Sequence, residues 1–185
     1  MKRTFVAIKI PISKNTKELL NEFKIILKDE RIRWVEDNNI HITILFLGDT
    51  EESKINEISD KLTKALSGVK TFDISCVGLG VFRSVFNPKA LWFGIEKSNS
   101  LENIYRAIEE VMSSFGIVSE HREFKPHLTI GRAKIIKDKD RLRKLLNNYK
   151  EIEIQKLKIS QVYFYESKLT PQGSIYEILA KIQLC

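Results

Sequence analysis

Two short runs carry residues suited to chemistry: His41-Ile42-Thr43-Ile44 and His127-Leu128-Thr129-Ile130. They hold two of the three histidines in the chain. Each opens an apolar stretch that reads as a strand, and strand side chains alternate between faces. His and Thr two residues apart therefore point the same way. Ile42, Ile44 and Phe46 are expected on the other face, as are Leu128 and Ile130. A neutral imidazole takes a proton from water, and an imidazolium gives one to a departing alkoxide. With an ordinary pKa of about 6.5, histidine alone supplies both forms near neutral pH. Threonine hydroxyls donate hydrogen bonds to phosphate oxygens as charge builds on them. Two facing His/Thr pairs thus suit in-line displacement at phosphorus without a metal.

A single strand histidine is more often structural than catalytic. The weight here comes from two His-x-Thr units at matched places. Two histidines without neighbouring Cys or carboxylate ligands fit no ordinary zinc spacing. His121, beside Arg122 and Glu123, has no counterpart in the first half and reads as a loop residue. No G-x-x-x-x-G-K-[ST] run is present, so no nucleotide cofactor is expected, and no metal.

The surrounding pattern is a repeat that would set the two units opposite each other. Apolar runs at Phe5–Ile10, Ile40–Leu47 and Phe72–Leu79 read as strands. Helical spacing appears at Leu19, Leu20, Phe23, Ile26 and Leu27, and again from Ile55 to Leu66. The order restarts with a strand at Leu91–Ile95, a helix at Leu101–Phe115 and a strand at His127–Ala133. A helix bearing Leu142, Leu145, Leu146 and Tyr149 follows, then strands at Glu151–Ile159 and Val162–Tyr165. Pro171-Gln172-Gly173 reads as a turn before a last strand, Tyr176–Ile182. Residues 1–80 and 87–165 are thus approximate copies, strand-helix-strand-helix-strand. A shift of 86 positions places Phe5 on Leu91 and His41 on His127. A C-terminal strand over 174–183 completes a single domain.

Composition sets the outer bounds. The chain has 185 residues, 43% of them apolar, which suffices for one domain or two small lobes sharing a core. Thirty-one Lys and Arg stand against 24 Asp and Glu, a net charge of +7 that favours a polyanionic partner. Cys76 and Cys185 make neither a disulfide framework nor a thiolate metal site. No apolar run reaches the roughly 18 to 20 residues of a membrane span. The expectation is a cytoplasmic monomer with no membrane partner and no obligate protein partner.

Several flanking runs belong with the two His-x-Thr units. They are Phe5-Val6-Ala7-Ile8-Lys9-Ile10-Pro11, Arg33-Trp34-Val35, Asn39-Ile40-His41-Ile42-Thr43-Ile44-Leu45-Phe46-Leu47-Gly48 and Leu91-Trp92-Phe93-Gly94-Ile95. Further on come Phe124-Lys125-Pro126-His127-Leu128-Thr129-Ile130-Gly131-Arg132, Tyr165-Glu166-Ser167 and Gly173-Ser174-Ile175-Tyr176. With these runs, nearly the whole chain resembles the RNA 2′,3′-cyclic phosphodiesterases, also called 2′-5′ RNA ligases, of the two-histidine phosphoesterase superfamily. The resemblance implies a bilobal α+β fold in which antiparallel-containing sheets flank a central cleft and strands cross between lobes. It implies hydrolysis of RNA or nucleoside 2′,3′-cyclic phosphates to 2′-phosphates, and weak 2′-5′ joining to a 5′-hydroxyl. By the same resemblance His41 is the proton donor to the departing 3′ oxygen and His127 the acceptor that activates water. Thr43 and Thr129 hold phosphate oxygens, and Arg132 stands where the family often carries an arginine, a candidate for substrate contact that on its face of the strand more often serves structure. Symmetry alone does not tell the two histidines apart.

Arg132 raises a question of direction. Strict alternation from His127 puts it on the face opposite the histidine, unless the strand bulges or ends near Gly131. Phe5 and Trp92 sit in apolar strands and read as core. The segment Arg83–Lys89 reads as a loop that could offer Phe86 for stacking and Arg83 to a phosphate. From Lys134 to Lys150, seven Lys or Arg face two Asp, either an RNA-backbone track or the solvated face of a helix. Two other readings stay open: the same fold acting on a 2′-5′ oligonucleotide or an RNA 3′ end, and a non-catalytic RNA-binding module.

Overall fold

The expected strands form one antiparallel sheet that nearly divides in two. The structure, a computed structural model, describes residues 1–117, 124–171 and 173–185; His121 and the middle residue of the expected Pro171–Gly173 turn lie outside them. The described elements run β1 (Lys2–Lys9), α1 (Lys14–Ile26), β2 (Arg31–Trp34), β3 (His41–Thr50), α2 (Ile55–Leu66), β4 (Phe72–Ser84), β5 (Asn87–Ile95). They continue with α3 (Asn99–Ser113), β6 (His127–Ile135), α4 (Lys139–Asn148), β7 (Glu153–Ile159), β8 (Gln161–Thr170) and β9 (Gly173–Gln183). The helices start where capping chemistry dictates. Ser13, Ser98 and Asp138 each accept a hydrogen bond from the backbone amide three residues on.

The strand order is β7-β4-β5-β6-β3-β1-β8-β9, with β2 beside β6. At the centre, β3 and β6 pair at Ile42↔Leu128. On one side lie β3, β1, β8 and β9; on the other lie β6, β5, β4 and β7. The chain is therefore α+β and bilobal, but the two lobes share a single sheet rather than owning one each.

The lobes are not the two sequence repeats. β4 follows α2 in the first repeat yet pairs with β5 and β7 in the second lobe. β8 returns from the second repeat to pair with β1. The helices trade places as well. Phe23 of α1 packs on Phe93 of β5 and on Tyr149, with ring centroids 6.1 and 4.9 Å apart, whereas α3 packs on α2 and β3. Each lobe thus contains pieces of both repeats, which ties the two histidine strands into one cooperative unit.

The helices cover one face of the sheet, over a core of Ile, Leu, Val and Phe that includes Phe23, Phe93 and Phe164 at 0 to 1% exposure. Truncating one of these to Ala would cost about 3–5 kcal/mol. A second, smaller cluster of Phe5, Ala7 and Tyr165, bordered by Tyr163 and Tyr176, lies apart from that core. Phe5 is buried as expected, but in this second cluster, beneath His41. Trp92 is only partly buried, and its ring lies over Gly80, where an added Cβ would come within 2.2 Å of it. Both rings sit on the histidine side of the sheet, not in the main core.

Two local features were not foreseen. Arg31–Trp34 forms β2, a strand of four residues and too short for a periodic signal. Arg83–Lys89 is not a loop but a tight hairpin: β4 runs to Ser84, β5 begins at Asn87, and Arg83 takes φ 72°.

Candidate active site

Both histidines begin their strands, and both are fixed by the same bond. The carbonyl of the residue two before each ring accepts from Nδ1: Asn39 O at 2.7 Å for His41, Lys125 O at 2.8 Å for His127. A ring held in this way carries its proton on Nδ1 and presents Nε2 for proton transfer. His41 Nε2 lies 3.1 Å from the Thr43 hydroxyl. The Asn39 side chain donates to Ser174 O at 3.1 Å, so the turn that orients His41 is itself fastened to β9.

His41, Thr43, His127 and Thr129 are all half-buried, while Ile42, Ile44, Leu128 and Ile130 are buried in the core. This much follows the alternation read from the sequence. The alternation then fails on both strands at the same place. Ile44 and Leu45 are both buried, and so are Ile130 and Gly131. The pairing of β3 with β1 skips a residue between Thr43 and Leu45, and the pairing of β6 with β5 skips one between Thr129 and Gly131. One extra residue in a strand reverses the facing of all that follow.

The bulges settle where Phe46 and Arg132 point. Phe46 is 59% exposed and packs on Phe5 at 5.8 Å, on the histidine side rather than the expected core side. Arg132 is exposed and shares the face of His127 and Thr129, reversing the strict-alternation reading. Its charge acts on both imidazoles.

Aromatic rings pack on each histidine. Phe5 and Tyr176 pack on His41 at 5.3 and 5.2 Å, and Phe82 packs edge-on to His127 at 4.6 Å. Burial holds both histidines below the ordinary value of 6.5, against the opposing effect of their carbonyl partners. The charge of Arg132 lowers both further, and His127 lowers His41.

Other groups fall away from this centre. Cys76 is buried, and burial pushes its thiol up to about 12, which leaves it inert as a nucleophile. Among the described residues no three His, Cys, Asp or Glu side chains come together as a metal site. No helix of the described chain is long and apolar enough to cross a membrane. Phe86 stands 68% exposed at the β4–β5 hairpin tip, with Lys139 and Arg143 of α4 at 5.8 and 5.7 Å from its ring. On α4, Arg141 pairs with Asp29 and Asp138, and Arg143 with Asp140, so part of the basic run serves local ion pairs. The sequence did not single out Tyr176, Phe82 or the Asn39 side chain as neighbours of the histidines; Tyr176 and Phe82 reach the site through strand pairing, and Asn39 stands in the turn just before His41.

A family model described as the 2′-5′ RNA ligase superfamily matches residues 15–169. An RNA 2′,3′-cyclic phosphodiesterase of Methanocaldococcus jannaschii is 37% identical over 177 residues, 96% of this chain and 98% of that protein. One of the same name from Thermotoga maritima is 33% identical over 187 residues, covering 98% of this chain and 95% of that protein. Among solved structures, E. coli LigT complexed with 3′-AMP superposes with a TM-score of 0.76 at 20% identity, over 99% of this chain and 98% of that one. At that identity the likeness concerns the fold.

Proposed function

The chain belongs to the 2′-5′ RNA ligase superfamily, and on that premise we propose that it opens 2′,3′-cyclic phosphates at RNA ends to 2′-phosphates without a metal. The observation that carries this reading is the matched pair of histidines. Each has Nδ1 engaged by a backbone carbonyl, each shares a face with a threonine, and the two are close enough to repel. It is supported by relatives named RNA 2′,3′-cyclic phosphodiesterase that align over nearly their whole length.

The residues divide the reaction as follows. Neutral His127 takes a proton at Nε2 from water as the water oxygen bonds to phosphorus. Protonated His41 gives its Nε2 proton to the 3′ oxygen as the P–O3′ bond breaks. The product is a 2′-phosphate with a free 3′-hydroxyl, and the pair ends with its protons exchanged, to be reset by solvent. Thr43 and Thr129 donate to the non-bridging oxygens, and Arg132 balances the charge that builds there. An RNA 5′-hydroxyl in place of water would give a 2′-5′ linkage by the same proton transfers.

The pKa directions fit this scheme. Two neutral histidines predominate near pH 7 before substrate arrives, and the anionic phosphodiester favours protonation of one of them. The test is hydrolysis of a nucleoside 2′,3′-cyclic phosphate in excess chelator, with the product identified by phosphorus NMR. A 2′-phosphate from the wild type is expected. Loss of activity on chelation, or a 3′-phosphate product, would overturn the reading.

A further inference from the structure

Beside the histidines the lobes part into a cleft of about 600 Å³, lined by Arg33, Trp34, Asn39, Arg132, Thr170 and Tyr176 among others. Tyr176 and Asn39 line this cleft and also contact His41, and Arg132 lines it from the strand of His127, so the cleft borders the histidines although neither ring lines it. The pocket on the other side of His41, lined by Lys9, Tyr165 and Ile178, holds about 80 Å³. Small-molecule sites run from about 300 to 1,000 Å³, so only the larger space fits a nucleotide.

The cleft brings two guanidinium groups to one face of the sheet. Arg33 of β2 lies directly opposite Arg132 of β6 in the antiparallel register. Like charges placed across a sheet from each other repel, and an anion between them relieves that repulsion. Among the described residues lining the same space, Glu36 is the one carboxylate. Arg33 is exposed, and its guanidinium lies against Gly173 at the start of β9, where an added Cβ would stand 2.6 Å from Nη2. The hairpin of β8 and β9 thus fixes where that charge is presented.

Cross-strand neighbours sit about 5 Å apart, the same order as the step between successive phosphates of an RNA strand. On the proposed reading Arg132 meets the reacting phosphate, and Arg33 stands one cross-strand step from Arg132 in the same cleft. We infer that Arg33 holds the internucleotide phosphate immediately 5′ of the reacting nucleotide, so that the site selects the end of an RNA chain over a free nucleoside cyclic phosphate. This rests on the reading of His41 and His127 as the proton-transferring pair. A free nucleoside 2′,3′-cyclic phosphate has no second phosphate for Arg33 to meet; any chain of two or more nucleotides does. Arginine suits the role because its fork meets two phosphate oxygens at once.

The experiment compares kcat/KM for a dinucleotide ending in a 2′,3′-cyclic phosphate with that for the matching nucleoside 2′,3′-cyclic phosphate. It is run on wild type, Arg33→Gln, Arg33→Lys and Arg31→Gln, which lies on the same strand outside the cleft. The wild type should prefer the dinucleotide by about tenfold or more, the size of a charge-assisted hydrogen bond. Arg33→Gln should reduce that preference to about twofold or less, Arg33→Lys should keep part of it, and Arg31→Gln all of it. The log–log salt slope of dinucleotide KM should fall by about one in Arg33→Gln. No dinucleotide preference in the wild type, or an Arg33→Gln variant that keeps the preference, would overturn the inference while leaving the cyclic phosphodiesterase intact. No turnover of either substrate by the folded wild type would instead overturn the reading of the site on which it rests.

Discussion

Five residues after its histidine, β3 carries Phe46 and β6 carries Arg132. Up to that point the two strands are near copies: a ring fixed by the carbonyl two residues back, a threonine on the same face, a buried doublet that bulges the strand. The bulges then turn both side chains to the histidine face, one a phenyl on Phe5 and the other a guanidinium whose charge acts on both histidines. On the proposed reading the shared part supplies two proton carriers. The difference gives the site a side, with apolar packing around His41 and positive charge along β6. A strictly symmetric site has no reason to assign acid and base; this one has an environment to assign them by.

The sharpest way to break the comparison is to remove each histidine in turn. His41→Ala and His127→Ala should each lower kcat on a nucleoside cyclic phosphate by about 10²–10⁴, with unchanged circular dichroism. The double variant should be little worse than either, because the two act as one unit. A single variant with near wild-type turnover would mean that one strand suffices.

Next comes the point of difference itself. Arg132→Gln should cost about 10²–10³ in kcat, the scale for a donor to developing oxyanion charge. Phe46→Ala should stay within a few-fold. Equal losses at the two positions would remove the asymmetry from the mechanism. Thr43→Val and Thr129→Val keep shape and remove one donor each, for an expected loss of about ten- to a hundredfold apiece. A much larger loss on one strand would show which threonine meets the oxygen that gains more charge.

The pH dependence sharpens the comparison most gently. Both histidines sit below 6.5. Activity falls as pH rises through the acid's lowered value, and falls again as pH drops through the base's. The kcat/KM optimum therefore lies on the acid side of 6.5. Arg132→Gln removes a cation that lowers both, so both limbs of its profile should move to higher pH. Stability follows the same linkage. Below 6.5 the unfolded chain binds more protons than the folded one, so thermal stability should decline as pH falls through that window. A wild-type optimum above pH 7 would contradict the burial seen at both rings.

Much of this was legible in the chain itself. Period-two patterns marked the histidine strands, and period-3.6 patterns marked all four helices, because burial of one face leaves a regular trace. The placement of Phe46 and Arg132 was not legible by alternation, since one bulged residue inverts the facing of everything after it. The signal was there in weak form: the doublets Ile44-Leu45 and Ile130-Gly131 interrupt the alternation in both copies. β2, four residues long, left no periodic trace, so Arg33-Trp34-Val35 stood out only as a flanking run and not as a strand that sets Arg33 opposite Arg132. Phe5 and Trp92 looked like core because apolar strands usually are. Phe5 is buried, in the smaller cluster on the histidine side, whereas Trp92 is only partly buried there.

The sequence by itself marked the two His-x-Thr pairs and the face that each pair shares, because side-chain chemistry and strand alternation are local properties. It also determined the family, since the flanks of both His-x-Thr units are distinctive. Only the tertiary structure decided which residues meet. The exchange of β4, β8, α1 and α3 between lobes places Tyr176 on His41 and Arg33 against Arg132. Such neighbours lie far apart in the chain; Asn39 and Ser174, hydrogen-bonded beside His41, are 135 positions apart. They are chosen by which sheet edges are left to pair once the core is closed, a global condition that no local pattern encodes.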